Sequence, residues 1–227
     1  MRLLAITPLC VDAGELLRRQ QRYNRLAPVG LSIQLLNLGN GSEIPRALNT
    51  NEDIIASEAA LLARFRAIDT GNDPEANLTA VDAYLPDCVL DPVVDLPYSG
   101  LSRPVLGLLK LTAHFLVSLG GTVGAVARNE AIAQELDRKF VSYGLGQPHG
   151  ATSVLGLSVA DIANDEIWAR AVNAHLQTMP AHVVINGCSA VEAAGPSGRP
   201  VLVDPTKTAL QLIALGAAVG AVSTAGE

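Results

Sequence analysis

The tetrapeptide Arg-Pro-Val-Leu occurs twice in this chain of 227 residues, at 103–106 and 199–202. Each copy lies behind a cysteine, fifteen residues after Cys88 and eleven after Cys188. Each cysteine also closes a short run of apolar β-formers, 81–85 in one case and 183–185 in the other. Two passes through the order strand, cysteine, proline-bearing segment, strand predict a duplicated supersecondary unit, and so two similar lobes.

The rest of the pattern agrees. Arg2–Ile6 is an apolar run before Thr7-Pro8, residues 12–23 have the apolar and charged spacing of an amphipathic helix, and 31–38 alternate with period two. A helix is predicted over 54–68 with Asn51 as its cap, a short strand over 104–106 and a helix over 108–119. After Gly120-Gly121 the order restarts: strand 122–127, helix 129–140, weak strand 152–155, helix 161–177, strands 183–185 and 201–203, then a final helix opened by Asp204-Pro205. The expectation is an α/β fold, each lobe a short parallel sheet flanked by helices with pseudo-two-fold symmetry. The first lobe is placed at 1–107 plus 206–227 and the second at 108–205, with an active-site cleft between them.

At 49% hydrophobic residues the chain has ample material for a core, and its Ala, Leu, Val and Gly suit helices on a buried parallel sheet. Charged residues make up 17%, and the net charge of −6 comes without a Lys/Arg run, which argues against nucleic acid and anionic membrane as partners. The apolar stretches 107–127 and 208–226 are broken by Lys110, His114 and Gln211 and are read as buried elements, not membrane spans. The first ten residues carry one Arg and an apolar run too short for an export signal. Cys10, Cys88 and Cys188 are widely spaced, which favours a reducing cytoplasm over a disulfide framework or a zinc site. No metal and no cofactor are expected. His114, His149 and His175 lack ligand spacing. His182 precedes Cys188 by an extended path on the order of 20 Å and is read as structural.

In parallel sheets, ligands bind beyond the carboxyl ends of the strands, where both cysteines stand. A helix opening just after each would favour the thiolate. Gly187 would permit a tight turn that leaves Cys188 facing the cleft, and the amides of Ser189 and Ala190 would be free to bind an oxyanion. Two sulfurs on opposite sides of one bound molecule suit proton transfer at carbon, one thiolate removing a proton as the opposite thiol returns one to the other face. The competing reading is that each cysteine is a small packed hydrophobe. Asp87 and Asp91 flank Cys88 and would raise its pKa, making Cys88 the resting acid and Cys188 the thiolate. Asp91 has a second, preferred reading as a cap at a helix start. Arg128 is either a carboxylate anchor or a solvated first-turn arginine.

At these residues the chain resembles the aspartate/glutamate racemase superfamily, and within it the hydantoin and allantoin racemase group. The resemblance rests on Cys88-Val-Leu-Asp91-Pro92, on Ile185-Asn-Gly-Cys188-Ser and on Pro200-Val-Leu-Val-Asp204-Pro205. It implies two flavodoxin-like lobes, a cofactor-independent mechanism with Cys88 and Cys188 as paired acid and base, and a homo-oligomer, dimer or larger. Thr7, Val89, Arg128, Asn129, Ser189 and Ala190 become the expected substrate-binding residues. Three segments depart from the group: Thr7-Pro8-Leu9-Cys10 replaces Asn-Pro-Asn-Thr, Ala127-Arg128-Asn129 stands where threonines are usual, and Val93-Val94 follows Asp91-Pro92 in place of Gly-Leu. The expected activity is racemisation of a carbon acid such as a 5-substituted hydantoin or related ureide. The alternatives are arylmalonate-type decarboxylation, maleate isomerisation, amino-acid racemisation, or a small-molecule binding protein without catalysis.

Overall fold

A computed structural model describes residues 1–39, 41, 43–75, 81–94, 96, 99–192, 198 and 200–221. Two parallel sheets form the frame. The first holds β1 (Arg2–Ile6), β2 (Ser32–Leu36) and β3 (Ala83–Pro86) in the order β2-β1-β3, and the second holds β4 (Val123–Ala127), β5 (Thr152–Val154), β6 (Val183–Asn186) and β7 (Val201–Val203) in the order β5-β4-β6-β7. The helices are α1 (Ala13–Leu26), α2 (Asn51–Asp69), α3 (Leu108–Ser118), α4 (Glu130–Ser142), α5 (Asp165–Leu176) and α6 (Pro205–Ala218). None of them is long and apolar enough to cross a membrane.

The duplicated unit is visible in the pairing. β3 lies beside β1 as β6 lies beside β4, and the amides of Asp87 and Gly187 donate to Ile6 O and Val126 O at 2.8 and 2.9 Å. The Arg-Pro-Val-Leu copies follow the same plan one residue out of step: Val105 stands opposite Tyr84, four residues before Cys88, whereas Leu202 stands opposite Val184, four before Cys188. The predicted strand 104–106 is only this bridge. Arg199 of the second copy lies outside the described residues.

Local chemistry sets the helix starts. The side chains of Asp12, Asn129, Asn164 and Asp204 each accept backbone N–H groups from the first turn that follows. For α2 the cap is Thr50 and not Asn51: Thr50 Oγ1 accepts from Asp53 N while the Asp53 carboxylate accepts from Thr50 N, a reciprocal pair that Asn51 cannot make. The helix predicted over 161–177 is two pieces, a 3₁₀ turn at Ala160–Ala163 and α5, divided where the Asn164 side chain takes the Glu166 and Ile167 amides.

The lobes share a core. α6 returns to the first sheet, where Ala209, Leu210 and Ile213 pack with Leu3, Ala5 and Leu85. α3 serves both lobes: Leu108 joins that cluster, whereas Leu109, Ala113 and Leu116 pack with Cys88, Val89 and Leu90 against β4 and α4. The turn carrying Cys88 is thus seated on the second lobe, so the gap between the lobes is set by side-chain packing.

Candidate active site

Cys88 follows the end of β3, and Cys188 that of β6, each by two residues. Both line one cleft of about 590 Å³, within the size range of small-molecule sites. Val89, Leu90, Ser189 and Ala190 continue its floor, and Leu9, Cys10, Leu48, Ile132, Val159 and Ile162 supply apolar walls. The third cysteine therefore reaches the same cleft. The two turns touch directly, because Ser189 Oγ donates to Asp87 O at 3.0 Å.

Directly behind each cysteine, at 89–90 and 189–190, the chain makes a tight turn and not a helix. The Leu90 amide lies against the Cys88 sulfur and the Ala190 amide against that of Cys188, each pulling its thiol pKa down. Burial outweighs this, pushing Cys88 up to about 12, with Asp87, the other sulfur and Asp91 adding to the rise. Cys188 is also raised by burial, but Arg19 and Arg22 oppose the rise. Both thiols are therefore raised, and the resting thiolate expected at Cys188 is not favoured, although Arg19 and Arg22 oppose the rise there. Dipole activation is absent at these turns, and the main cause at Cys88 is desolvation, with the two carboxylates secondary. The Ala190 N–H is turned to sulfur, so the Ser189 amide and its counterpart at Val89, which have no acceptor among the described residues, remain to meet an oxyanion.

Gly187 is needed for close approach, not for a left-handed turn. A Cβ there would stand 2.1 Å from Val126 O, so any side chain would pry β6 from β4. Asn186 completes the support, donating to Cys188 O at 3.1 Å and accepting from Trp168 Nε1 at 3.1 Å.

Helix α1 ties the two turns together. Arg19 Nη1 donates to Asp87 at 2.9 Å and its Nε to Glu15 at 2.6 Å, and the Tyr23 hydroxyl donates to the other Asp87 oxygen at 2.8 Å. Arg18 Nη2 reaches Ala190 O at 2.7 Å, and Arg22 Nη2 reaches Val191 O at 3.0 Å and Asp204 at 2.6 Å. Arg18 and Arg22 recur on one face of the helix, a spacing that could have marked a polar contact surface in the sequence; their partners at Ala190, Val191 and Asp204 lie in the other lobe.

Asp91 is a capping residue for a distant helix. Buried in a left-handed conformation (φ 49°), it accepts the amides of Leu109 and Lys110, the first turn of α3, together with the Tyr143 hydroxyl. Gly107 leaves room for it, since a Cβ there would lie 2.4 Å from the carboxylate. Val93 also has positive φ (69°), which explains why glycine suits this position in the resembling group; here a buried valine accepts the strain.

Of the residues expected to meet a ligand, Val89, Arg128, Ser189 and Ala190 line the cleft, whereas Thr7 and Asn129 stand behind its wall. Thr7 is fully buried; its hydroxyl donates to Leu9 O at 2.7 Å and accepts from Leu38 N at 3.0 Å, holding the loop that brings Cys10 forward. Asn129 caps α4 and donates to Leu48 O at 2.8 Å. Arg128 is 5% exposed and so is not a solvated arginine, and burial lowers its pKa. His114, His175 and His182 bond Lys110 O, Ser153 Oγ and Thr122, away from the cleft.

No family model and no curated protein matches this sequence. Solved structures do. The allantoin racemase from Pseudomonas fluorescens is similar at a TM-score of 0.74 and 19% identity, over 99% of this chain and 94% of that one. The allantoin racemase from Klebsiella pneumoniae gives 0.73 and 16%, over 100% and 91%. The aspartate racemase of Picrophilus torridus gives 0.59 and 13%, over 96% and 94%. The chain thus shares the two-lobed α/β fold of these solved racemases. In this fold the cleft lies beyond the carboxyl ends of β3 and β6, one strand from each sheet, which is where both cysteines of this chain stand.

Proposed function

We propose that the protein is a cofactor-independent racemase or epimerase of a carbon acid, a hydantoin or related ureide being the leading class. The observation that carries this reading is that the cysteines from equivalent strand ends of the two lobes line one cleft, their turns joined by the bond from Ser189 to Asp87. Cys188, relieved by Arg19 and Arg22, acts as thiolate and takes the proton from one face of the carbon. The electron pair moves into the adjacent carbonyl, and the enolate oxygen is met by the amides of Val89 or Ser189. The Cys88 thiol then delivers its proton to the opposite face. One turnover leaves Cys188 protonated and Cys88 as thiolate, the arrangement required by the opposite enantiomer. The same reading places the protein in a reducing compartment, working as a homo-oligomer.

The test follows exchange of the acidic C–H for deuterium, and loss of optical rotation, in hydantoins. Cys88→Ser and Cys188→Ser are each expected to abolish racemisation. Full activity in both variants rejects the two-sulfur reading.

A further inference from the structure

Arg128 is a buried guanidinium without a counter-ion. Its three hydrogen bonds go to neutral oxygens, Leu48 O at 2.8 Å, Asn49 Oδ1 at 3.0 Å and Leu157 O at 3.4 Å, and among the described residues it makes no ion pair. Of its five N–H donors, two are unused. Buried charges in folded proteins are normally paired, because a lone one bears the full cost of desolvation. Arg46 lines the same cleft from its exposed rim, two residues before the carbonyl that Arg128 holds, and has no hydrogen bond or ion pair among the described residues.

The acids that line the cleft are already engaged. Asp12 accepts from Glu15 N as the cap of α1, Glu15 receives Arg18 and Arg19, and Asp87 receives Arg19 and Tyr23. Arg19 is thus satisfied from within, whereas Arg46 and Arg128 are not. Among the described residues, the charge that acts on Arg128 is that of Cys188, which would favour the protonated guanidinium.

We infer that the substrate is an anion, a carbon acid whose substituent ends in a carboxylate clasped by Arg46 and Arg128 while the reacting carbon lies between the sulfurs. This rests on the carbon-acid reading above and narrows it from neutral ureides to carboxylate-bearing ones. A carboxylate accepts paired N–H bonds from guanidinium, and one on the substituent leaves the reacting ring free for the amides of Val89 and Ser189.

The probes are a hydantoin carrying a carboxyethyl group on the acidic carbon and one carrying an isopentyl group, which has the same branched outline without charge. Deuterium exchange is expected to favour the carboxyethyl compound about 10-fold or more in kcat/KM, through KM. Arg46→Gln and Arg128→Gln should each collapse that ratio, and Arg128→Lys should restore part of it. A ratio near one in the unaltered protein overturns the inference and leaves the racemase reading standing. So does an Arg128→Gln variant that slows both compounds equally, which would assign Arg128 to the Cys188 thiolate. Where Arg128→Gln does not fold, Arg46→Gln and Arg128→Lys decide by the same ratio. If neither compound exchanges, the racemase reading fails. Calorimetric binding then decides the anion site: preference for the carboxyethyl compound that disappears in Arg46→Gln supports it, and equal binding overturns it.

Discussion

The hydroxyl of Ser189 donates to the carbonyl oxygen of Asp87 at 3.0 Å, joining the residue after one cysteine to the residue before the other across the gap between the lobes. This bond is buried, and Asp87 is further held by Arg19 and Tyr23 from α1. The distance between the sulfurs is therefore governed by contacts at the cysteine turns themselves.

Ser189→Ala removes this link and leaves a buried carbonyl without its donor. A loss of about 1–2 kcal/mol in stability is expected by urea denaturation. Deuterium exchange should slow more than stability alone accounts for, by about 10-fold, since loosened positioning acts on the chemical step.

The pH dependence follows from the thiols. Cys188 is raised above the ordinary 9.0, so its thiolate fraction, and with it kcat/KM, should climb about tenfold per pH unit from neutrality toward that value. Cys88, pushed up to about 12, stays protonated across this range and can act as the acid. Peptide mapping after iodoacetamide treatment should find Cys188 alkylated well before Cys88. The reverse order would exchange their assigned roles.

Gly187→Ala places a methyl group 2.1 Å from Val126 O, a backbone atom that cannot turn aside. The strands β4 and β6 must separate. Destabilisation of about 3 kcal/mol is expected from the denaturation midpoint, with racemisation lost even in protein that remains folded.

Arg22→Met strands Asp204, which also caps α6 through the amides of Thr206 and Lys207. Because both partners of this ion pair are largely buried, breaking it should cost about 3 kcal/mol. Arg25→Met, at the exposed pair with Glu192, should cost less than about 1 kcal/mol in the same assay.

Asp91 gives an acid-side signature. Burial raises its carboxyl from the ordinary 3.8 to about 6, so between those values the folded chain keeps a proton that the unfolded chain has released. Stability should therefore fall as pH rises through that window, and Asp91→Asn should remove this part of the slope. The same substitution turns an amide NH₂ toward one of three donors, lowering stability by about 1–3 kcal/mol at neutral pH.

What the sequence determined by itself was the order of elements, the duplicated unit and the placement of Cys88 and Cys188 at strand ends. Those features are local: apolar period, helix caps and the turn after a strand are set by neighbours a few residues away. Tertiary structure decided which groups share the cleft and what charge each carries. Arg19 meets Asp87 across 68 residues and Ser189 meets Asp87 across 102, so neither contact has a signature in sequence spacing. The same holds for the burial that outweighs the amides at both thiols, for Thr7 turning inward, and for the lack, among the described residues, of an acid paired with Arg128. Desolvation and ion pairing depend on what is packed around a group in space, and the two lobes supply those neighbours only once they close on each other.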